Sequence, residues 1–90
     1  MAIVVEFNAP SMTATQYDSV LRDLESKGVG APDGRVYHIA APNLDGWFVV
    51  DVWESQERFD RFGAVLLPTL QAAGVTATPE VRPVHNIITG

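Results

Sequence analysis

Apolar and polar positions alternate at strand spacing near the start of the chain and then change to helix spacing. Residues 2–8 form an apolar, β-branched run that is stopped by Pro10, which predicts a first strand. Thr13 and Gln16 form a capping-box pattern, and the apolar residues that follow fall at i, i+3, i+4 and i+7. This pattern predicts a first helix that ends at Gly28.

The middle of the chain predicts a hairpin. Residues 35–41 and 47–53 are rich in β-branched and aromatic side chains, and they flank a turn over residues 42–46. The Asp-Gly pair at the end of this turn is a common hairpin signal. We therefore expect strands two and three to be antiparallel neighbours.

The last third of the chain predicts a helix and a final strand. Ser55 can cap the helix, but Gly63 and Pro68 interrupt its apolar stripe, so a kink or break is expected near residues 63–67. Residues 79–88 predict the last strand. Pro79 and Pro83 have no backbone N–H to donate, so this strand is expected to lie at an edge of the sheet.

This element order, βαββαβ, is that of a ferredoxin-like α+β fold with a four-stranded antiparallel sheet. Right-handed crossovers place strands one and three in the centre and both helices on one face. We expect the helices to cover the wholly apolar face of strand three, with Phe48, Val50 and Val52, and to leave the face with Asp51 bare. Two bare faces packed together would form a barrel, so the single domain over residues 1–90 is expected to be a homodimer.

Composition and charge narrow the choice of partners. The apolar fraction of 47% is high for so short a chain and favours an interface between copies. The absence of cysteine excludes disulfides and thiolate metal sites. A net charge of −5 with scattered basic residues argues against nucleic acid. There is no apolar run of membrane-spanning length and no basic leader, so we expect a cytoplasmic protein without a membrane partner.

The stretch 46–62 carries a specific resemblance. A hydrophobic strand ends in Trp53-Glu54-Ser55, and Glu57 and Phe59 then open the second helix. This motif resembles the dimeric α/β-barrel superfamily, in particular its antibiotic-biosynthesis-monooxygenase-like branch. The resemblance implies the ferredoxin-like fold and a homodimer. Its members include cofactor-free monooxygenases, cyclases, isomerases and proteins with no known activity, so it does not select a reaction.

The haem-degrading branch of the same superfamily offers a residue-by-residue test. This chain resembles it in Asn8 at the end of strand one, but Phe62 and Ala72 stand where that branch has a tryptophan and a histidine. The resemblance therefore implies no haem binding in that mode, and no other cofactor is expected.

His38 and His85 are the candidate catalytic bases, because imidazole titrates near neutrality. Asn8 and Tyr37 are the candidate polar groups that would orient a substrate. The alternative is that both histidines are hydrogen-bonded strand residues, which would meet where strand four of one subunit approaches strand two of the other.

Two further sets of residues have a functional and a structural interpretation. Glu6 and Asp51 are expected to share the bare face, either as a catalytic carboxylate pair or as a polar network with Arg35 or Arg82 as counterion. The aromatic residues form either a pocket for a planar ligand or part of the core. The candidate ligand-binding residues are Tyr37, Trp53 and Phe62, with Trp47 beside them.

These observations predict a homodimer that binds or transforms a small hydrophobic or aromatic metabolite without a cofactor or a metal. The alternative is a non-enzymatic dimeric module that has a structural or ligand-sensing role. A cleft that reaches a histidine would favour the enzyme.

Overall fold

A computed structural model describes all residues, 1–90, as one sheet covered on one face by two helices. The element order is the predicted one. The elements are β1 (Ile3–Pro10), α1 (Ala14–Ser26), β2 (Arg35–Asn43), β3 (Gly46–Trp53), α2 (Gln56–Ala72) and β4 (Thr78–Pro83).

The strands are antiparallel and lie in the order β2-β3-β1-β4, so the prediction of central strands one and three is confirmed. Register pairs Val5 of β1 with Asp51 of β3, and Ile3 with Trp53. Directly opposed residues in an antiparallel pair point to the same face of the sheet. This register therefore fixes which residues face the helices.

We call the side of the sheet under the helices the covered face and the other side the bare face. On β1, Ile3, Val5 and Phe7 lie on the covered face and are buried, as predicted. On β3 the prediction was wrong. The covered face holds Trp47, Val49, Asp51 and Trp53, and the bare face holds Phe48, Val50 and Val52, which are only partly buried.

The reason is that burial of β3 depends on partners as well as on hydrophobicity. Asp51 is 2% exposed and finds hydrogen-bond donors under the helices, while Trp53 fills the largest fully buried position in the core. Glu6 pairs with Val50 and lies on the bare face. The expected shared face of Glu6 and Asp51 is therefore wrong as well.

The helices are built as their sequences indicate, with one exception. Thr13 and Gln16 form the predicted capping box of α1, and Gly28 follows its C-cap with a φ of 81°. In α2 the predicted break is wrong, since the helix runs through Pro68 without interruption, while the alternative of a kink stays a prediction. Burial of Phe59 and Leu70 on either side of the proline anchors the helix to the sheet and offsets its missing hydrogen bond.

Two strand boundaries also differ from the prediction. β2 extends to Asn43, which pairs with Gly46 across a two-residue loop. β4 stops at Pro83 instead of residue 88, and one further hydrogen bond joins the Val84 N–H to the Ala2 carbonyl. The position of β4 at a sheet edge is confirmed. Neither helix is long and apolar enough to cross a membrane.

Candidate ligand-binding site

A mostly apolar cavity of about 60 Å³ lies between the covered face of the sheet and the two helices, and it is open on one side. Of its 17 lining residues, 14 are hydrophobic. The remaining three are Arg35, His38 and Asp51, so all the charged and imidazole groups of the wall come from strands β2 and β3. The apolar part of the wall includes Phe7, Met12, Val20, Leu24, Phe62, Leu66 and Leu70.

A chain of hydrogen bonds runs along the polar part of the wall. The Tyr17 hydroxyl lies 2.6 Å from Nε2 of His38, and Nδ1 of His38 lies 2.6 Å from Oδ1 of Asp51. The indole N–H of Trp53 donates to the other Asp51 oxygen over 3.3 Å. A carboxylate can only accept, so the Asp51 contact assigns the imidazole proton to Nδ1. Nε2 of neutral His38 then accepts from Tyr17.

A β-bulge brings two of these residues to the same face. The pairing of β2 with β3 shifts between Arg35 and Tyr37. Arg35 and His38 are three residues apart, so a regular strand would point them to opposite faces, but both line the cavity. The same shift places Tyr37 on the bare face, opposite Val52.

Two aromatic rings complete the polar end of the cavity. Trp47 stacks on Tyr17 with a centroid distance of 5.4 Å, and the Tyr17 ring is nearly parallel to the His38 ring at 6.1 Å. The Nε1 atom of Trp47 is buried and has no hydrogen-bond partner. A buried N–H without a partner is unusual and costs free energy, so this group is a candidate donor to a ligand.

Burial raises the pKa of Tyr17 above its ordinary value of 10.0. The positive charge of Arg35 acts in the opposite direction, whereas the negative charges of Asp51 and Asp18 add to the rise. Tyr17 is therefore a neutral hydroxyl at physiological pH, with a proton that it can donate to His38.

Four of the residues proposed from the sequence lie at this site, and one of them is Trp47, which lines the cavity and stacks on Tyr17. His38 and Phe62 line the cavity, and Trp53 lies behind it, fully buried against Phe62 and hydrogen-bonded to Asp51. Ala72, which the haem comparison paired with Phe62, is an exposed residue at the end of α2.

The other three residues proposed from the sequence lie elsewhere. Tyr37 is 41% exposed on the bare face. Asn8 is exposed and accepts a hydrogen bond from Asn43 over 3.4 Å. His85 is exposed beyond the end of β4. Within one subunit these residues do not reach the cavity, so the structure brings together only part of the proposed set.

Sequence reasoning missed Tyr17 as a site residue and considered Arg35 only as a counterion. Tyr17 lies in the apolar stripe of α1, where a tyrosine is equally expected in the core. Its separation of 21 residues from His38 gives no local signal. No group of three or more metal-ligating side chains is present in the chain.

No protein-family model matches the sequence, and a search of the curated proteins finds no significant match. Solved structures do match. SnoaB, a cofactor-independent oxygenase from Streptomyces nogalater, is similar in a mutant form with a TM-score of 0.67 and 16% identity, over 99% of this chain and 97% of that one.

Two further structures extend the likeness beyond one protein. Rv0793 from Mycobacterium tuberculosis matches with a TM-score of 0.63 and 14% identity over 98% of both chains. Foldit4, a de novo designed protein, matches with a TM-score of 0.64 and 8% identity, over 94% of this chain and 100% of that one. Since a designed protein shares it, this likeness is a statement about fold and not about chemistry.

A structure from Deinococcus radiodurans, provisionally described as an antibiotic biosynthesis monooxygenase, also matches, with a TM-score of 0.61 and 16% identity over 99% of this chain and 97% of that one. The resemblance seen in residues 46–62 therefore agrees with the structural comparison. This chain has the ferredoxin-like fold of the antibiotic-biosynthesis-monooxygenase-like proteins.

Proposed function

We propose that this protein binds a small hydrophobic or aromatic metabolite in the cavity and removes a proton from it without a cofactor. The observation that carries the proposal is the Tyr17–His38–Asp51 chain of hydrogen bonds at the wall of an apolar cavity. Such a chain joins a hydroxyl that a ligand can reach to a base that is oriented by a buried carboxylate.

The proton transfer follows from the hydrogen-bond directions. The Tyr17 oxygen accepts an acidic proton from the ligand while its own proton passes to Nε2 of His38. The products are a ligand anion and an imidazolium, and the imidazolium is stabilised by the adjacent Asp51 carboxylate. His38 keeps the role of base that the sequence suggested, whereas Tyr17 takes the place assigned to Tyr37 and Asn8.

A ligand anion formed in this way could react with dioxygen, cyclise or isomerise, which are the reaction types that the sequence resemblance implies. SnoaB is described as a cofactor-independent oxygenase, and oxygenation is therefore the first reaction to test. The expected result is ligand-dependent oxygen uptake that His38→Gln and Tyr17→Phe each reduce by about a hundredfold, a typical effect of losing a proton-transfer group.

The second candidate is a ligand-binding module without turnover. It is favoured by the engagement of both His38 nitrogens and by the small volume of the cavity. A thermal-shift screen against neutral phenols separates binding from chemistry. Stabilisation by about 2.7 kcal/mol at a hundredfold excess over Kd, without oxygen uptake or product, would favour the module.

We also propose that the protein works as a homodimer whose subunits meet through their bare faces. Phe48, Val50 and Val52 form a continuous apolar surface there, with Tyr37 and Ile39 of β2 beside them. Ile39 is 61% exposed in the single chain, and such a surface favours association. Contact between His85 and His38 across the seam and the cytoplasmic location stay predictions. His38 already has two partners within its own subunit.

A further inference from the structure

A groove of about 390 Å³ lies beside the cavity, between the loop over residues 28–33 and the first half of α2. Arg58, Arg61, Phe62 and Val65 form its α2 side. Phe62 is the one residue that lines both this groove and the cavity of about 60 Å³. The Phe62 side chain therefore stands between the two spaces and divides them.

The loop side of the groove is held firmly in place. Asp33 forms an ion pair with Arg58, and Arg58 also pairs with Glu54 over 3.6 Å. The backbone N–H of Glu54 donates to the Gly34 carbonyl over 2.8 Å. The Arg58 side chain passes so close to Gly34 that a Cβ added there would overlap it. These contacts tie the loop to the start of α2, so this wall of the groove is fixed.

The wall between the groove and the cavity is held less firmly. Phe62 makes apolar contacts, among them one with the Trp53 ring at a centroid distance of 5.2 Å. Gly63 follows it, and a Cβ there would meet no atom within 4 Å beyond the adjoining helix backbone. Packing therefore does not require this glycine, which weakens the helix. Pro68 has no N–H to donate to the carbonyl four residues earlier, so α2 is least constrained over residues 63–68, next to Phe62.

We propose that Phe62 is a movable partition and that the groove is a second compartment of the binding site, which takes the outer ring of an elongated two-ring aromatic ligand. This inference rests on the proposed function, because it names the class of metabolite that the cavity binds. Ligand sites usually enclose about 300–1,000 Å³, and a cavity that binds benzene in another protein has roughly 150 Å³. The cavity of about 60 Å³ reaches such a size only when it is joined to the groove.

The groove also determines what the outer ring carries. Val29, Ala31 and Pro32 give it an apolar side, and Arg61 lies opposite on α2. The ion pair of Arg61 with Glu57 joins side chains that are 70% and 73% exposed, and exposed pairs contribute little free energy. Arg61 is therefore free to donate to an oxygen on the outer ring. The part of the ligand that enters the dividing position replaces the apolar contacts that the Phe62 ring gives up.

The probe is 4,4′-biphenol, which has two linked rings with a hydroxyl at each end, and phenol is its one-ring control. Calorimetric titration of the full chain with both compounds gives the ratio of their affinities. Phe62→Ala removes the partition and should raise this ratio in favour of biphenol by at least about tenfold, because no buried aromatic ring then has to move. Phe62→Trp enlarges the partition and should lower the ratio.

Gly63→Ala tests the weak point of the helix. This variant is expected to be at least as stable as the wild type, because alanine favours the helix and meets no other atom there. Stopped-flow measurement should show that biphenol associates about fivefold more slowly, while phenol, which enters through the open side of the cavity, associates as before. Ser19→Ala raises helix propensity at an exposed position of α1 outside both linings, and it should change neither rate.

An affinity ratio that is the same in the wild type and in Phe62→Ala would overturn the inference, as would an unchanged rate of biphenol association in Gly63→Ala. If Phe62→Ala does not fold, the rates of Gly63→Ala decide the matter alone. Binding of phenol without binding of biphenol to the wild type would overturn the inference and leave the proposed function intact. Failure of both probes to bind would count against both.

Discussion

The covered face and the bare face are two sides of the same four strands, and they differ in an unexpected way. On β3 the covered face holds Asp51 together with Trp47 and Trp53, while the bare face holds Phe48, Val50 and Val52. The more polar side is thus the buried one. Burial of a polar group is tolerated when its hydrogen bonds are made, and Asp51 has partners on both oxygens. The side chains that β3 contributes to the bare face are all apolar, carry no such requirement and are available for a second subunit.

The largest effect is expected from the removal of the buried carboxylate. Asp51→Ala leaves the Trp53 N–H and the His38 Nδ1–H without an acceptor in the interior. Loss of one partner of a buried pair costs about 3 kcal/mol or more, which in a domain of this size lowers Tm by roughly 10 °C or more. Differential scanning calorimetry at fixed protein concentration measures this, with Asp60→Ala on the exposed side of α2 as control. Equal Tm values for both variants would show that the covered face does not depend on this network.

The bare face can be tested by a charge in its centre. Val52→Lys places an ammonium group between Val4 and Tyr37, where two subunits are proposed to pack, and burial of that charge without a partner costs several kcal/mol. We expect the dimer Kd to rise by at least about a hundredfold, with a monomer mass in light scattering at micromolar concentration. Leu67→Lys, which alters an apolar residue that is 56% exposed on α2, should leave the mass unchanged. A monomeric wild-type protein at the same concentration would contradict the proposed dimer.

A smaller effect is expected from Tyr17→Phe, which removes the hydrogen bond to His38 and should cost about 1 kcal/mol near neutral pH. Because the folded protein raises the pKa of Tyr17 above 10.0, the folded state holds this proton more tightly than the unfolded state. The stabilisation is therefore fully present below pH 10 and is lost as the pH rises through the folded pKa.

Urea unfolding across neutral and alkaline pH tests this sign. The gap in unfolding free energy between wild type and Tyr17→Phe should narrow above pH 10. Tyr37→Phe on the bare face is the matched control, since Tyr37 has no hydrogen-bond partner in the single chain and is 41% exposed. If the difference in unfolding free energy instead grows at alkaline pH, the folded state holds the Tyr17 proton less tightly than the unfolded state, which would contradict this prediction.

The smallest effect is expected at His85. This residue is exposed beyond β4, so His85→Gln should change the unfolding free energy of the subunit by less than about 0.5 kcal/mol. His38→Gln on the covered face should cost more, because it breaks the contacts to Tyr17 and Asp51. Denaturant unfolding of both variants, at fixed protein concentration, makes the comparison. An equal loss for the two histidines would mean that His85 has a partner that the single chain does not show.

The amino-acid sequence by itself determined the element order, the sheet order and the caps of both helices. The elements and their caps depend on periodicity and on turn residues, which act over short stretches of the chain. The sheet order depends on general rules for how strands are connected. The capping box of Thr13 and Gln16 and the edge position of β4 are examples. The sequence also identified His38 and Asp51 as chemically significant.

Only the tertiary structure decided which face of β3 is buried and which residues meet at the cavity. The face of a strand changes with a shift of one residue, and the bulge between Arg35 and Tyr37 makes such a shift in β2. The contact between Tyr17 and His38 joins a helix to a strand across 21 residues. Pairing of this kind depends on how a helix packs over a sheet and on which buried polar groups find partners there, and neither is encoded in the spacing of residues along the chain.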